Sequence, residues 1–263
     1  MMENRYNKLN SYLKNKFGER TLKICIDGHF TCPNRDGTLG KNGCIFCSEK
    51  GSGEHLLPNI DIKNQVTNQL NGIKSKRANK FIAYFQNFSN TYDTIENLRE
   101  KYNAALIDDR IVGLSIATRP DCINQEIANL LKTYTSHYQV WVELGLQTSN
   151  ETIGKFLHLG YTNQQFTNAV SMLNKAGIDV IVHLMIGLPK ETPKDIENTV
   201  KFINTHPIQG IKVHSTYIVK NTILEKLYQE RKISTHFIEL LFIHVNIYNY
   251  SYFARNCNPS NFW

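Results

Sequence analysis

Cys32, Cys44 and Cys47 are spaced C-x11-C-x2-C within "FTCPNRDGTLGKNGCIFCSEKGSGEH", residues 30–55. Two intervening residues let consecutive thiolates face one metal centre, and the glycines allow the backbone between them to fold back through dihedrals closed to other residues. The segment has few large apolar side chains and cannot be held by a core of its own. Two chemistries fit. Three thiolates on a cubane iron–sulfur cluster leave one iron open to a substrate or cofactor, by the logic of an open coordination position at a catalytic metal. A structural zinc would instead recruit His29 or His55 as a fourth ligand. Zinc ribbons usually bring a second paired knuckle, however, and Cys25, Cys122 and Cys257 are single and distant.

The elements that must carry this loop read as repeated strand–helix units. Six apolar runs, at 22–27, 80–86, 110–118, 138–148, 178–187 and 210–219, alternate with amphipathic patterns such as "TIENLREKYNAAL" and "NQQFTNAVSMLNKAG". The runs are nearly continuous, as in strands covered on both faces. Asn124 and Thr162 are candidate helix caps, Pro193 suits a first turn, and "KAG" at 175–177 ends a helix on glycine. Six units in series predict an incomplete α/β barrel with its functional groups at the C-terminal strand ends.

A 41% apolar, 20% charged composition belongs to a globular protein able to bury a core and argues against disorder. With no run of 18 apolar residues and a polar, amphipathic beginning, the chain is expected to be cytoplasmic with no membrane partner. In a reducing compartment, cysteines serve as ligands, catalysts or buried small residues rather than disulfides. The formal net charge of +7 is compatible with a polyanionic partner and equally with a solvated lysine-rich surface. Three regions are expected: an amphipathic extension (1–20), a barrel (21–231) and an atypical tail (232–263). From 233 onward only Glu239 and Arg255 are charged, and a frameshift or truncation is one explanation of that break.

The motifs "CPNRDG…GCIFC", "YFQNFSNTY", "GLSIATRPDC", "VWVELGLQT", "HLMIGLPKET" and "GIKVHSTYIVKNTILEKLY", in that order, resemble the radical S-adenosylmethionine (SAM) superfamily, and within it the YhcC/YtqA-like family. The cluster loop is also similar to that of the catalytic subunit of Elongator, which modifies wobble uridine in tRNA. The resemblance spans roughly residues 5–230. It implies a partial (β/α)6 TIM-like barrel, a [4Fe-4S] cluster on Cys32, Cys44 and Cys47, and SAM on the open iron, cleaved by one electron to a 5′-deoxyadenosyl radical. It also implies an electron donor such as flavodoxin or ferredoxin, and tRNA as a candidate substrate, with a small metabolite or a zinc-stabilised RNA-binding role as alternatives.

The resemblance places Phe46 beside the adenine, although a bare aromatic could equally pack under the loop, and it places Gln86 near the methionine amino group. Glu143 and Gln147 share a strand face with Gly145. An acid and an amide on an apolar strand are expensive to bury without partners, so they are read as cofactor ligands or as a mutually bonded pair. His183 and His214 are candidate lumen ligands or satisfied core residues. Arg119 is a candidate for contact with a carboxylate or phosphate, or a helix cap. Where the family reads "NRGH" this chain has "HLGY", so Leu159 stands in the place of an arginine.

Overall fold

A computed structural model describes residues 7–51, 60–72 and 77–233. His55, Cys257 and all but the first two residues of the expected tail lie outside the described residues. Six parallel strands follow chain order across one sheet: β1 (Thr21–Ile26), β2 (Lys80–Phe85), β3 (Ile111–Thr118), β4 (Gln139–Gln147), β5 (Asp179–Ile186) and β6 (Gly210–Ser215). Helix α1 (Leu9–Phe17) precedes β1, and α2 (Ile62–Asn71), α3 (Ile95–Ala105), α4 (Gln125–Lys132), α6 (Asn163–Lys175) and α7 (Pro193–Asn204) connect successive strands. A short α5 (Glu151–Phe156) follows β4, and α8 (Ile223–Gln229) follows β6.

The sheet is curled. Laid flat, β2 and β6 would be about 19 Å apart, four spacings of about 4.8 Å, more than two side chains can span. Yet Lys212 Nζ on β6 lies 3.1 Å from Tyr84 OH on β2. The six strands therefore form an open arc of barrel whose concave face is a lumen. Alternate residues point outward: Ile24 and Ile26, Phe81 and Phe85, Leu114 and Ile116, Val142 and Leu144, Val180 and Val182 join the helices in the main core.

The helix starts follow the sequence. Asn124 Oδ1 accepts from Ile127 N at 2.9 Å, Thr162 and Gln165 form a reciprocal capping box, and Thr192 does the same with Asp195 ahead of Pro193. The last strand is shorter than its apolar run. β5 turns away at Gly187 (φ 75°), so after Thr216 N bonds Ile186 O at 3.0 Å, residues 217–219 have no strand to pair with.

Two further apolar clusters position the site. Leu9 and Leu13 of α1 pack on Ile82 and Trp141 and close the N-terminal end of the lumen. At the other end, Ile45 from the cysteine loop packs with Ile153, Leu157, Leu159, Leu188 and Leu224.

Candidate active site

The cysteine loop is folded by its own backbone and docked by one asparagine and one isoleucine. Arg35 N bonds Cys32 O at 2.7 Å, Gly43 N bonds Asn34 O at 2.8 Å, and Cys47 N bonds Cys44 O at 3.0 Å. Gly43 has φ 72°, and a Cβ there would lie 2.9 Å from Arg35 Nε, so the residue type is set by both conformation and space. Asn34 is 5% exposed and donates to His158 O at 2.7 Å and Leu159 O at 3.1 Å, and it approaches Cys44 Sγ at 3.5 Å. Ile45, fully inside the upper cluster, bonds through its N–H to Leu157 O at 3.1 Å.

Under the loop lies a cavity of about 480 Å³. Cys32, Cys44 and Cys47 form one part of its wall, with Arg35, Phe46, Phe88 and Arg119 beside them, and the strands contribute Tyr84, Gln86, Glu143, Gly145, Gln147, His183, Met185, Lys212 and His214. The lower part is dominated by Glu143. Its Oε1 accepts from Lys23 Nζ, from Ser115 Oγ at 2.7 Å and from Trp141 Nε1 at 3.3 Å. Its Oε2 meets His183 Nε2 at 2.7 Å and Lys212 Nζ at 3.3 Å. Burial alone raises the Glu143 pKa; Lys23, Lys212 and the His183 hydrogen bond outweigh it and hold the carboxyl well below its ordinary range. His183 is pulled down to about 4, chiefly by burial and then by Lys212, so it is neutral near pH 7.

The Radical SAM superfamily profile matches residues 37–203, well over half of the chain. The uncharacterised protein YtqA of Bacillus subtilis is 38% identical over 236 residues, covering 88% of this chain and 72% of its own. The chain belongs to the radical SAM superfamily. A tRNA uridine(34) acetyltransferase of Dehalococcoides mccartyi is 33% identical over 125 residues, covering 46% of this chain and 26% of its own. Among solved structures, the archaeal Elp3 of Methanocaldococcus infernus superposes with a TM-score of 0.67 at 19% identity, over 91% of this chain. The chain spans 56% of that structure's length. The curled half-barrel is thus the fold of radical SAM enzymes, which use a [4Fe-4S] cluster and SAM.

The residues present fit those groups. Arg35 and Arg119 stand by the cysteines and can offset the negative charge of thiolates. The Cys44 thiol is lowered to about 7, first by its hydrogen bond with Cys47 and then, against the opposing effect of burial, by Arg119, Asn34 and Arg35. Asn87 Oδ1, on the loop after β2, is buried without a hydrogen-bond partner among the described residues, and Ser89 on the same loop belongs to the cavity wall. Among the described residues no three His, Cys, Asp or Glu side chains converge as they would around one metal ion. A cubane makes no such demand, because each cysteine meets a different iron. His29, the described zinc alternative, lies elsewhere, with its Nε2 3.1 Å from Ile60 O.

The structure brings Phe46, Gln86, Glu143, Gln147, His183 and His214 into one wall with the three cysteines. Phe46 both lines the cavity and packs on the upper cluster. Glu143 and Gln147 do not bond each other. The ladder shifts register between Gly145 and Gln147, Gln147 adopts φ 64°, and its Nε2 lies over Gly145, 3.0 Å from where a Cβ would be. Arg119 pairs with Asp121 through Nε at 2.9 Å and Nη2 at 2.7 Å and lies over the Tyr161 ring, 5.0 Å from its centroid. Leu159 is 3% exposed within the upper cluster; the guanidinium near the adjoining Gly160 is that of Arg119, 3.4 Å from an added Cβ.

Sequence reasoning passed over Lys23, Tyr84 and Lys212. Their signal was available: "LKICI" and "GIKVHS" each carry a lysine inside an otherwise apolar strand, at positions that the two-residue period turns toward the lumen.

Proposed function

We propose that Cys32, Cys44 and Cys47 hold a [4Fe-4S] cluster, that SAM occupies the upper part of the cavity, and that the recipient of the radical is a nucleoside of tRNA. The observation that carries the first two statements is the single cavity in which three cysteines share a wall with Gln86, Gln147 and two arginines. When bound, the cluster and SAM supply one-electron cleavage of the sulfonium to a 5′-deoxyadenosyl radical. The chain's own contribution is to bind, orient and exclude water. Asn34 ties the loop to the segment after α5. Phe46 offers an aromatic face beside Cys47, Gln86 and Gln147 offer amides at the strand ends, and the Leu9–Leu13 face of α1 seals the lumen from below. An external one-electron donor such as flavodoxin or ferredoxin completes the system.

Three features support tRNA: the partial similarity to tRNA uridine(34) acetyltransferases, the net charge of +7, and Tyr217, 72% exposed at the cavity wall, where a splayed base could stack. Among the described residues no helix is long and apolar enough to cross a membrane.

Anaerobically reconstituted protein is expected to be brown, with about four irons per chain. It should form 5′-deoxyadenosine from SAM on reduction, and Cys44→Ala should abolish both properties. A colourless, zinc-loaded protein refutes the cluster. For the substrate, nucleosides of tRNA from cells with and without the gene are compared, and identical profiles refute tRNA.

A further inference from the structure

Below the strand ends the lumen holds charges that the cofactor reading does not use. One carboxylate, Glu143, lies between two ammonium groups, Lys23 and Lys212, which are 10% and 14% exposed at the side chain. Tyr84 adds a neutral phenol, held so by burial, and His183 and His214 are neutral near pH 7. Among the described residues the layer therefore carries more positive than negative charge, with each oxygen of Glu143 already spoken for. Buried charges are ordinarily matched, so the excess calls for a counter-ion. Burial, which Glu143 only partly offsets, and neighbouring Lys212 pull Lys23 below the ordinary lysine range.

The geometry leaves donors for that counter-ion. Lys212 has three N–H groups and gives two, to Tyr84 OH at 3.1 Å and Glu143 Oε2 at 3.3 Å, while its side chain forms part of the cavity wall. His214, two residues further along β6, lines the same cavity and makes no hydrogen bond within the described residues; its ring lies 5.1 Å from that of His183. A neutral imidazole offers one N–H donor, and beside an ammonium it suits an anion's oxygens.

We propose that Lys212 and His214, backed by Lys23, form a subsite for the acidic group, a carboxylate or a phosphate, of the molecule that receives the radical. This rests on the reading of the cavity as the cofactor and substrate chamber of a radical enzyme. Its chemistry is separable from that of the cluster: the subsite is a layer deeper than the cysteines and needs no iron to bind an anion.

The test uses the full chain, reconstituted and saturated with SAM, titrated calorimetrically with inorganic phosphate, malonate and the uncharged nucleoside uridine. Native protein is expected to bind phosphate or malonate and to bind uridine at least tenfold more weakly. Preference for phosphate points to a nucleotide or phosphate ester, and preference for malonate to a carboxylic acid. Lys212→Met and His214→Phe should each weaken anion binding at least tenfold, Lys212→Arg should restore much of it, and Lys201→Met, on the surface of α7, should leave it unchanged. Equal binding by native protein and both lumen variants overturns the proposal, as does anion binding that disappears when SAM is added. Iron content and 5′-deoxyadenosine formation are measured on the same samples. Loss of those alone counts against the cluster reading, whereas their retention without anion binding counts against the subsite.

Discussion

Glu143→Gln keeps the shape of the most heavily bonded side chain in the lumen and removes its charge. Glu143 is 1% exposed and bonded to Lys23, Ser115, Trp141, His183 and Lys212. With an amide there, two ammonium groups share one buried chamber with no carboxylate between them. Removing one partner of a buried ion pair costs about 3–5 kcal/mol. At about 2–4 °C per kcal/mol for a chain of this size, the melting temperature falls by roughly 6–20 °C at pH 7. The pH dependence has a definite sign. The folded-state pKa of Glu143 is depressed, so its contribution is complete above the unfolded value of about 4.3 and is lost as pH falls through the lower folded value. The gap between native and variant therefore narrows in acid. Lys23 acts at the other end: burial, then Lys212, lowers its folded pKa, and loss of Glu143 lowers it further. A lysine with a depressed folded pKa destabilises the fold until it loses its proton, so the variant regains stability as pH rises from 7 toward the unfolded value of about 10.4. Calorimetric melting of both proteins across this range reads the effect directly. A variant that melts within about 2 °C of native at every pH, below the smallest shift expected, refutes the assignment of Glu143 as the counter-charge of the lumen lysines.

Gly160 has φ 76°, and a Cβ there would lie 2.8 Å from Asn34 Oδ1. Gly160→Ala is expected to lose about 1–2 kcal/mol from backbone strain and to retain less iron after gel filtration, because Asn34 is displaced from the cysteine loop; unchanged melting and iron content refute this. Leu159→Arg, which restores the arginine of the related motif, is expected to destabilise by several kcal/mol, since Leu159 is 3% exposed among Ile45, Ile153 and Leu157; an unshifted denaturant midpoint refutes that packing. Burial raises the Glu191 pKa to about 7 although it accepts from Gly187 N at 2.8 Å and Leu188 N at 3.2 Å. A raised carboxyl pKa favours the protonated fold, so stability falls as pH rises from about 4.5 to 7. Glu191→Gln should flatten that slope, and an equally steep slope in the variant refutes the cause.

The parts of this molecule that were legible in the sequence are those written by local rules. The strands show as apolar runs because both faces are covered, β2 by the helices outside and by Trp141 and α1 within, so little polar alternation breaks the signal. The caps at Asn124, Thr162 and Thr192 are local as well. The end of β6 was not legible, because it depends on where its neighbour β5 departs at Gly187. Nor was the bulge at Gln147: "ELGLQ" reads as regular alternation, and only the register against β5 shows that one residue is extra. The partners of Glu143 come from β1, β3, β4, β5 and β6, and lie up to 120 residues from it in the chain. No window of sequence contains them, although each lysine is conspicuous in its own strand.

The layering of the lumen gives the two ends of the cavity unlike chemistry. Along β4, Glu143 lies four residues before Gln147, about 13 Å at about 3.3 Å per residue. On β6, His214 lies one alternation above Lys212, between the charged layer and the strand ends. Thiols, amides and two arginines surround the upper part, while ammonium groups and one saturated carboxylate form the lower. Trp141 and the Leu9–Leu13 face of α1 pack across the bottom, at the opposite end of the lumen from the cysteine loop. A substrate tethered below by an acidic group would then present its other end upward, within the span of one or two strand layers from the loop. A rigid barrel wall can enforce that separation in a way that a surface loop cannot, and under the proposed anion subsite it is how lysines on β1 and β6 would bear on chemistry at cysteines with which they share no bond.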